Sequence, residues 1–365
     1  MFTFLKNNVQ NFFIQHRHLI VPVSVVGGFF IHIITMSKID RWFENAVLIA
    51  YIFLVTITTL LLFSREAPVG NRLNIKNHEG ILTMVMLYGF GGLFSGFVIF
   101  YTKSGSLISG WPFVVIMLAL MLGTEFLKGY YKRLTFQFVL YFIVVFAHLI
   151  FFIPLLANDL GTIWFLISGG ISIIWITLFF VLARHINKPR FIRTRKKLFI
   201  SISIVFAVFN ALYFTNIIPP IPLSLEFKAV YHNVTKITEG QYRAVYEKNP
   251  WYSLRKRSHI IHISKFEPVY VFTSVYAPID FTTSIMHQWQ YFDENSRRWV
   301  TTDSIVLPLA GGRDEGFRGF SKKGNTFPGS WRIIVRTKRQ QILGYVYFRI
   351  TDEVPQKYNF ITENL

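Results

Sequence analysis

The chain has 365 residues, of which 52% are hydrophobic, 18% aromatic and 16% charged. This composition is too apolar for an ordinary water-soluble globular protein. Lysine and arginine number 38 against 19 acidic residues, a formal net charge of +19, which is typical of contact with nucleic acid or an anionic membrane surface. Cysteine is absent, which excludes disulfides, thiolate nucleophiles and cysteine-ligated metal sites.

Seven stretches without a charged residue are long enough to cross a bilayer. Lipid solvates neither an ionised side chain nor an unpaired backbone group, so a spanning helix needs about 20 apolar residues. The predicted spans are 19–36, 45–63, 81–101, 104–124, 134–158, 160–183 and 198–218. Three prolines between 219 and 222 close the last span, because proline supplies no amide donor. The sequence therefore predicts a seven-helix transmembrane domain over residues 1–222.

The basic residues of the loops predict the orientation of this domain, because lysine and arginine accumulate on the cytoplasmic side. The loops on the side of the N-terminus contain 15 of them, whereas those on the other side contain Lys38, Arg41 and Lys103. The first apolar run lacks a small-residue cleavage site, so we interpret it as a retained anchor. A cytoplasmic N-terminus and an odd number of spans place residues 223–365 outside the cytoplasm.

Most of the positive charge is explained by this topology. Residues 1–222 have a net charge of +12, most of it in predicted cytoplasmic loops, where it contacts anionic headgroups. No nucleic-acid partner is therefore needed. We interpret the basic run Arg190–Lys197 (RFIRTRKK) as a loop that sets topology; an RNA or headgroup patch is the alternative.

Residues 223–365 change to short segments rich in β-branched and aromatic residues, broken by proline, glycine, asparagine and aspartate. The predicted strands are 225–232, 242–246, 269–276, 284–292, 299–307, 331–338 and 342–351. This spacing predicts an all-β, antiparallel, sandwich-like domain.

The last two strands predict one core face and one polar face, because side chains alternate along a strand. The core face carries Trp331, Ile333, Val335, Gly344, Val346, Phe348 and Ile350. The polar face carries Arg332, Ile334, Arg336, Tyr345, Tyr347 and Arg349, with Arg332 opposite Tyr347. Arginine and tyrosine together bind anions, sugars or a protein partner; packing on a solvated face is the alternative.

Two further groups in this domain are candidates for ligand binding. Residues 311–331 (GGRDEGFRGFSKKGNTFPGSW) form a basic, aromatic segment suited to phosphorylated glycans, lipid headgroups or acidic proteins. Its cations are Arg313, Arg318, Lys322 and Lys323. His287 and Trp289 share a strand face, either as a sugar-stacking platform or as a buried aromatic face with one hydrogen-bonded histidine.

Motifs of known catalytic chemistry are absent. The sequence contains no G-x-S-x-G, no H-E-x-x-H and no phosphate-binding loop, and Ser321 has no histidine or aspartate at a recognised motif spacing. His259 and His262 (HIIH) would point to opposite faces of a strand, which disfavours a shared metal. We therefore predict no catalytic residue, metal or cofactor.

Polar groups within the predicted spans are costly in lipid and are often functional. The candidates are His32, Glu125, His148 and Asn210. His148 lies deepest; with Asn210 it would form either a polar path or a hydrogen bond between helices. Glu125 lies one turn from Lys128, so an interfacial ion pair accounts for it.

The residues His287-Gln-Trp289, Trp299, Gly312-Arg313, Gly316–Lys322 (GFRGFSK), Gly329–Arg332 (GSWR) and Gly344 resemble a bacterial family of β-domains of unknown function. Members of that family often follow a polytopic membrane domain, which is itself uncharacterised. The resemblance covers roughly 269–351 and implies an envelope protein with its β-domain in the periplasm. It brings no catalytic residues.

These observations favour a non-enzymatic protein of the bacterial inner membrane. Its periplasmic β-domain would bind an anionic glycan, a lipid headgroup or a partner protein. The alternative is a transporter or a lipid-handling membrane enzyme whose site lies within the helix bundle.

Overall fold

The structure is a computed structural model. It describes residues 29, 32, 42–65, 79–103, 107–126, 133–159, 161–218, 223–238, 240–248, 258–263, 267–277, 282–310, 316–352 and 360–365. The chain divides into two compact units with the principal boundary after Ile218. One unit is helical and the other is rich in β-strands.

Six helices form the described part of the helical unit. They are α1 (Trp42–Ser64), α2 (Glu79–Lys103), α3 (Leu107–Phe126), α4 (Leu134–Ala157), α5 (Thr162–Ile186) and α6 (Lys188–Phe214). Five of them are long and apolar enough to cross a membrane, whereas the apolar stretch of α3 is shorter, Gly110–Gly123. The predicted span 19–36 lies outside the described residues apart from Phe29 and His32. The described part therefore shows six helices rather than the seven expected.

Helix α6 begins earlier than the sequence predicts. The basic run 190–197, expected to be a loop, forms the first turns of this helix. The side chain of Asn187 accepts a hydrogen bond from the backbone amide of Arg190 at 3.2 Å, and Pro189 stands in the first turn. An asparagine cap followed by proline strongly favours the start of a helix. The helix therefore begins before the apolar run.

Small residues allow the helices to pack closely. A Cβ atom added at Gly92 of α2 would lie 2.8 Å from the ring of Tyr51 in α1. One added at Gly169 of α5 would lie 3.3 Å from Phe206 in α6. Aromatic rings fill the spaces between helices, and Phe146 contacts Phe206 with ring centroids 5.5 Å apart.

Eleven strands form the described part of the β-rich unit. They are β1 (Ser224–Tyr231), β2 (Asn233–Thr238), β3 (Gln241–Glu247), β4 (Ile260–His262), β5 (Val269–Tyr276), β6 (Thr282–Asp293), β7 (Arg298–Ala310), β8 (Phe317–Lys323), β9 (Gly329–Thr337), β10 (Ile342–Thr351) and β11 (Phe360–Asn364). They make three sheets, of order β1-β5-β8, β4-β10-β9-β6-β7 and β11-β3-β2. Strand β4 pairs with β10 in parallel, which corrects the expectation of a purely antiparallel domain.

The sheet β1-β5-β8 contributes to two apolar cores. Val271 and Val275 of β5 join Trp289 and Trp331 of the five-stranded sheet in the first core. Phe272 of the same strand packs in the second core with side chains of β2 and β3. Every residue of β5 is buried, because it is the middle strand of a sheet with both faces covered.

The predicted core face of the last two strands is confirmed, whereas Ile334, expected on the polar face, is also buried, at 2% exposure. Trp331, Ile333 and Val335 are at most 1% exposed. Tyr347 pairs with Arg332 in the β9–β10 ladder, as the sequence predicts.

Candidate functional site

The outer surface of the five-stranded sheet carries a cluster that we call the aromatic–arginine face. It consists of Phe292 of β6, Trp299 of β7, Arg332 of β9, and Tyr345 and Tyr347 of β10. The strands β10, β9, β6 and β7 are consecutive neighbours in the sheet. Residues that alternate with the buried side chains of these strands therefore come together on the opposite face.

Two aromatic rings and one amide fix the position of Arg332. Its guanidinium carbon lies 4.3 Å from the ring centroid of Trp299 and 5.6 Å from that of Tyr345, which are cation–π distances. Its Nε donates a hydrogen bond to Oε1 of Gln290 at 2.7 Å. Its two Nη groups have no hydrogen-bond partner in the described part of the chain. They suit a carboxylate or phosphate, which bind guanidinium through paired hydrogen bonds.

The aromatic rings form a strip beside this cation. The rings of Tyr345 and Tyr347 are 5.7 Å apart and inclined by only 15°. Trp299 lies 6.2 Å from Tyr347, and Phe292 lies 5.3 Å from Trp299. Tyr347 is 51% exposed. Such a strip offers apolar ring area to a ligand while the hydroxyl groups stay hydrated.

The structure brings together three of the predicted ligand-binding residues, Arg332, Tyr345 and Tyr347. Arg349 lies exposed two residues further along β10. Arg336 is half-buried, and its Nη1 contacts Oε1 of Gln340 at 3.5 Å.

The predicted ligand-binding residues do not include Gln290, Phe292 and Trp299. The signal in the sequence was the alternation of Gln288, Gln290 and Phe292 with the apolar face of β6. Trp299 then follows because it pairs with Phe292 across the β6–β7 hairpin.

His287 and Trp289 belong to the core and not to this surface. His287 is fully buried, with Nδ1 2.9 Å from Oγ of Ser321 and Nε2 2.9 Å from Oγ1 of Thr273. Nε1 of Trp289 donates to the same Ser321 oxygen at 3.1 Å. Burial lowers the pKa of His287 to about 4, so the ring is neutral at pH 7. A ligand cannot stack on rings that are buried between sheets, so neither residue belongs to the candidate surface.

Ser321 thus has a histidine neighbour that motif spacing did not reveal. The pair is buried, and the other ring nitrogen of His287 faces a threonine rather than a carboxylate. A serine nucleophile needs access to substrate and an oriented base. The geometry instead ties β6 to β5 and β8 across the core.

The basic segment divides between the two faces of β8. Lys323 forms an ion pair with Asp303, whereas Lys322 lies 5.6 Å from the ring centroid of Tyr270. Arg318 donates to the carbonyl of Gly240 at 3.2 Å. Arg313 lies outside the described residues.

Arg318 also lines a pocket of about 580 Å³ with Phe227, Ile237, Gln241 and Phe272. None of the three described cations of the segment lies on the aromatic–arginine face, because that face belongs to the outer side of another sheet.

A buried carboxylate, missed in the sequence, joins two histidines. Oε1 of Glu247 lies 2.6 Å from Nε2 of His232, and Oε2 lies 2.7 Å from Nδ1 of His262. Burial raises the pKa of Glu247, but the hydrogen bonds from both histidines outweigh it and hold this pKa below its ordinary value. Within the described ranges, no group of three side chains is arranged to hold a metal ion.

The polar residues of the helices do not converge. Both ring nitrogens of the buried His148 lack a hydrogen-bond partner among the described residues, and the ring stacks on Phe152 at 5.0 Å. Asn210 donates to the carbonyl of Phe206 in its own helix at 2.8 Å, so the expected hydrogen bond between helices is not formed.

The other two polar candidates in the helices are His32 and Glu125. His32 has Nδ1 3.0 Å from Oγ of Ser95. Glu125 lies in the last turn of α3.

Comparison with known proteins connects the aromatic–arginine face to a family. The family described as "Protein of unknown function (DUF2914)" matches residues 282–350. The C-terminal region therefore contains a DUF2914 domain. The match runs from β6 to β10 and includes every residue of the aromatic–arginine face. This confirms the resemblance to an uncharacterised domain family, and no activity comes with it.

Other comparisons add no function. No curated protein matches the chain. Among solved structures, the alkylpurine DNA glycosylase AlkC of Pseudomonas fluorescens, bound to DNA containing an abasic site analog, is similar over 86% of this chain and 100% of that chain. Its sequence identity is 8% and its TM-score 0.22. A TM-score of this size carries no argument about fold or function.

Proposed function

We propose that this chain is a non-enzymatic, multi-pass protein of a bacterial inner membrane whose periplasmic β-domain binds an anionic glycan at the aromatic–arginine face. In this proposal the span 19–36 and helices α1–α6 make seven crossings. The N-terminus is cytoplasmic, and the DUF2914 domain lies in a sandwich of facing sheets outside the cytoplasm.

The membrane part of the proposal is supported by helix length and loop charge. Five described helices are long and apolar enough to span. The loops and helix ends on the predicted cytoplasmic side carry 15 of the 18 basic residues before residue 223, as the positive-inside rule requires. A reporter fused after Leu365 tests the topology. Activity of alkaline phosphatase supports it, and activity restricted to a cytosolic fluorescent reporter contradicts it.

The binding part rests on one observation, the fixed Arg332 beside two nearly parallel tyrosine rings, of which Tyr347 is exposed and Tyr345 is half-buried. Sugar rings present apolar C–H faces that pack on aromatic rings, while a carboxylate or phosphate on the sugar meets the guanidinium. Both requirements are met within one strip. A lipid headgroup has no comparable flat apolar face above its phosphate.

The test is binding of an oligogalacturonate, a linear sugar acid, to the detergent-solubilised full chain, measured by calorimetry with neutral maltoheptaose as the comparison probe. We expect Arg332→Gln to weaken oligogalacturonate binding at least about tenfold, because a charge-assisted hydrogen bond contributes about 1.5–3 kcal/mol. Tyr347→Ala removes an exposed stacking ring, and we expect a roughly two- to tenfold loss with both probes.

The matched control is Lys236→Gln, which removes an exposed cation from the separate sheet β11-β3-β2. Binding by this variant should equal that of the wild type. If no acidic sugar binds, or if Arg332→Gln and Lys236→Gln behave alike, the glycan proposal is wrong. Binding to anionic vesicles or to a periplasmic protein in its place would assign the face to those partners.

His148 favours a second candidate, a transporter or lipid-handling enzyme with its site in the bundle. A buried imidazole without a hydrogen-bond partner in the described part of the chain is costly, and such groups mark transport paths in membrane proteins. Replacing His148 with leucine separates the two functions. Glycan binding should be unchanged, whereas a bundle-based activity should be lost.

A further inference from the structure

A groove on the helical unit runs between α4 and α6. It has a volume of about 650 Å³ and is lined by apolar side chains, among them Phe136, Val139, Ile200 and Ile204, and at one end by Arg133 and Lys197. Arg133 immediately precedes α4, and Lys197 lies one turn before Ile200 in α6. The groove therefore has two cations at one end and an apolar lining along the rest.

The length of the groove is close to the depth of one leaflet of a bilayer. Lys197 and Val205 both line the groove, and eight residues of helix span about 12 Å. Half of the hydrocarbon core of a bilayer is about 15 Å thick. The exposed side chains of Ile200 and Ile204, 51% and 58% accessible, suit contact with an acyl chain and not with water.

The charge at its end also selects the ligand. Arg133 and Lys197 both belong to the basic segments predicted to face the cytoplasm, where the anionic lipids of a membrane present their phosphates. A basic pocket between helices at this level binds an acidic headgroup, while a zwitterionic lipid gains less from two cations.

We propose that this groove is a binding site for an anionic glycerophospholipid. The phosphate contacts Arg133 and Lys197, and one acyl chain lies along Phe136, Val139, Ile200 and Ile204. This inference rests on the membrane location proposed above but is independent of glycan binding.

The experiment is native mass spectrometry of the full chain released from detergent, with phosphatidylglycerol or phosphatidylcholine of identical acyl chains. We expect preferential retention of phosphatidylglycerol. The double variant R133Q/K197Q should weaken phosphatidylglycerol binding at least tenfold, because two charge-assisted contacts are lost. Ser201→Trp, which places a large ring in the groove, should reduce binding of both lipids.

The matched control is Arg195→Gln. This residue is exposed and, two positions from Lys197, points about 200° away around the helix. It should retain wild-type binding. Equal retention of the two lipids, or an equal loss in R195Q and R133Q/K197Q, overturns the proposal.

A further arm uses soluble glycerophosphoglycerol, the headgroup without acyl chains. Full competition by this compound would assign the cations to a free phosphodiester and overturn the lipid site. Extraction of the chain by alkaline carbonate without detergent would contradict the membrane location itself. A chain that resists extraction but shows no phosphatidylglycerol preference contradicts only this inference.

Discussion

Replacing His287 with glutamine is expected to remove most of the response of the β-rich unit to mild acid. His287 is sealed between β6, β5 and β8, and its burial lowers its pKa from 6.5 to about 4. In the unfolded chain the imidazole takes up a proton near pH 6.5, whereas in the folded state it does so only near pH 4. The stabilising contribution is therefore complete above pH 6.5 and is lost as the pH falls toward 4.

The magnitude follows from this difference. One pH unit within that window corresponds to about 1.4 kcal/mol, so the free energy of unfolding should fall by about 2 kcal/mol between pH 7 and pH 5 through His287 alone. Glutamine does not titrate, and its amide can still contact Ser321 or Thr273. The variant should be less stable than the wild type at pH 7 but nearly insensitive to pH through this position.

The assay is urea unfolding of the full chain in a mild detergent, followed by tryptophan emission at both pH values. The other nine histidines are the same in both proteins, so the difference between wild type and variant isolates His287. An equal loss of stability in the two proteins would show that His287 accepts a proton in the folded state, and the reasoning would be refuted.

Three further outcomes are expected. Gly316→Ala should destabilise the β-rich unit by at least about 2 kcal/mol, because φ is +79° and the new Cβ would lie 2.9 Å from the backbone of Val275. The control is Gly324→Ala, which has open space at its Cβ position. Thermal unfolding measures the stability of both variants. Ser321→Ala should lower the free energy of unfolding by about 1–3 kcal/mol, because buried donors lose their acceptor. Urea titration measures this loss, and unchanged stability would contradict it. Glu247→Gln should flatten the dependence of stability on pH below about pH 4.5. The lowered pKa of Glu247 means that its carboxylate stabilises the folded state above the unfolded pKa and that this contribution is lost in acid. An unchanged profile would contradict the histidine contacts.

Long local patterns made much of the fold predictable. Uncharged runs located α1 to α5 within a few residues, because lipid-compatible length is a property of one segment. The start of α6 was missed, since Asn187 and Pro189 begin a helix whatever the charge that follows. Strand β8 (FRGFSKK) is not among the predicted strands. Glycine and lysine are poor strand formers, and the pairing of β8 with β5 stabilises the strand instead.

The candidate site was predictable only in part. Arg332 and Tyr347 face each other across one hairpin, so alternation was enough to pair them. Trp299 of β7 reaches Arg332 of β9 across the one intervening strand, β6, and no spacing in the sequence encodes that contact. His287 and Ser321 are separated by 34 residues, and only the packing of two sheets joins them.

Strand β5 sets a limit on how the DUF2914 region can be separated from its surroundings. The family match begins at residue 282, yet β8 forms its ladder with β5, at 269–276, and the first core needs Val271 and Val275. A fragment confined to 282–350 would carry a bare strand edge and exposed tryptophans, which favour aggregation. Chimeras that exchange this region between relatives should therefore have their junction before Ser224 and retain β11, whose ladder with β3 closes the third sheet.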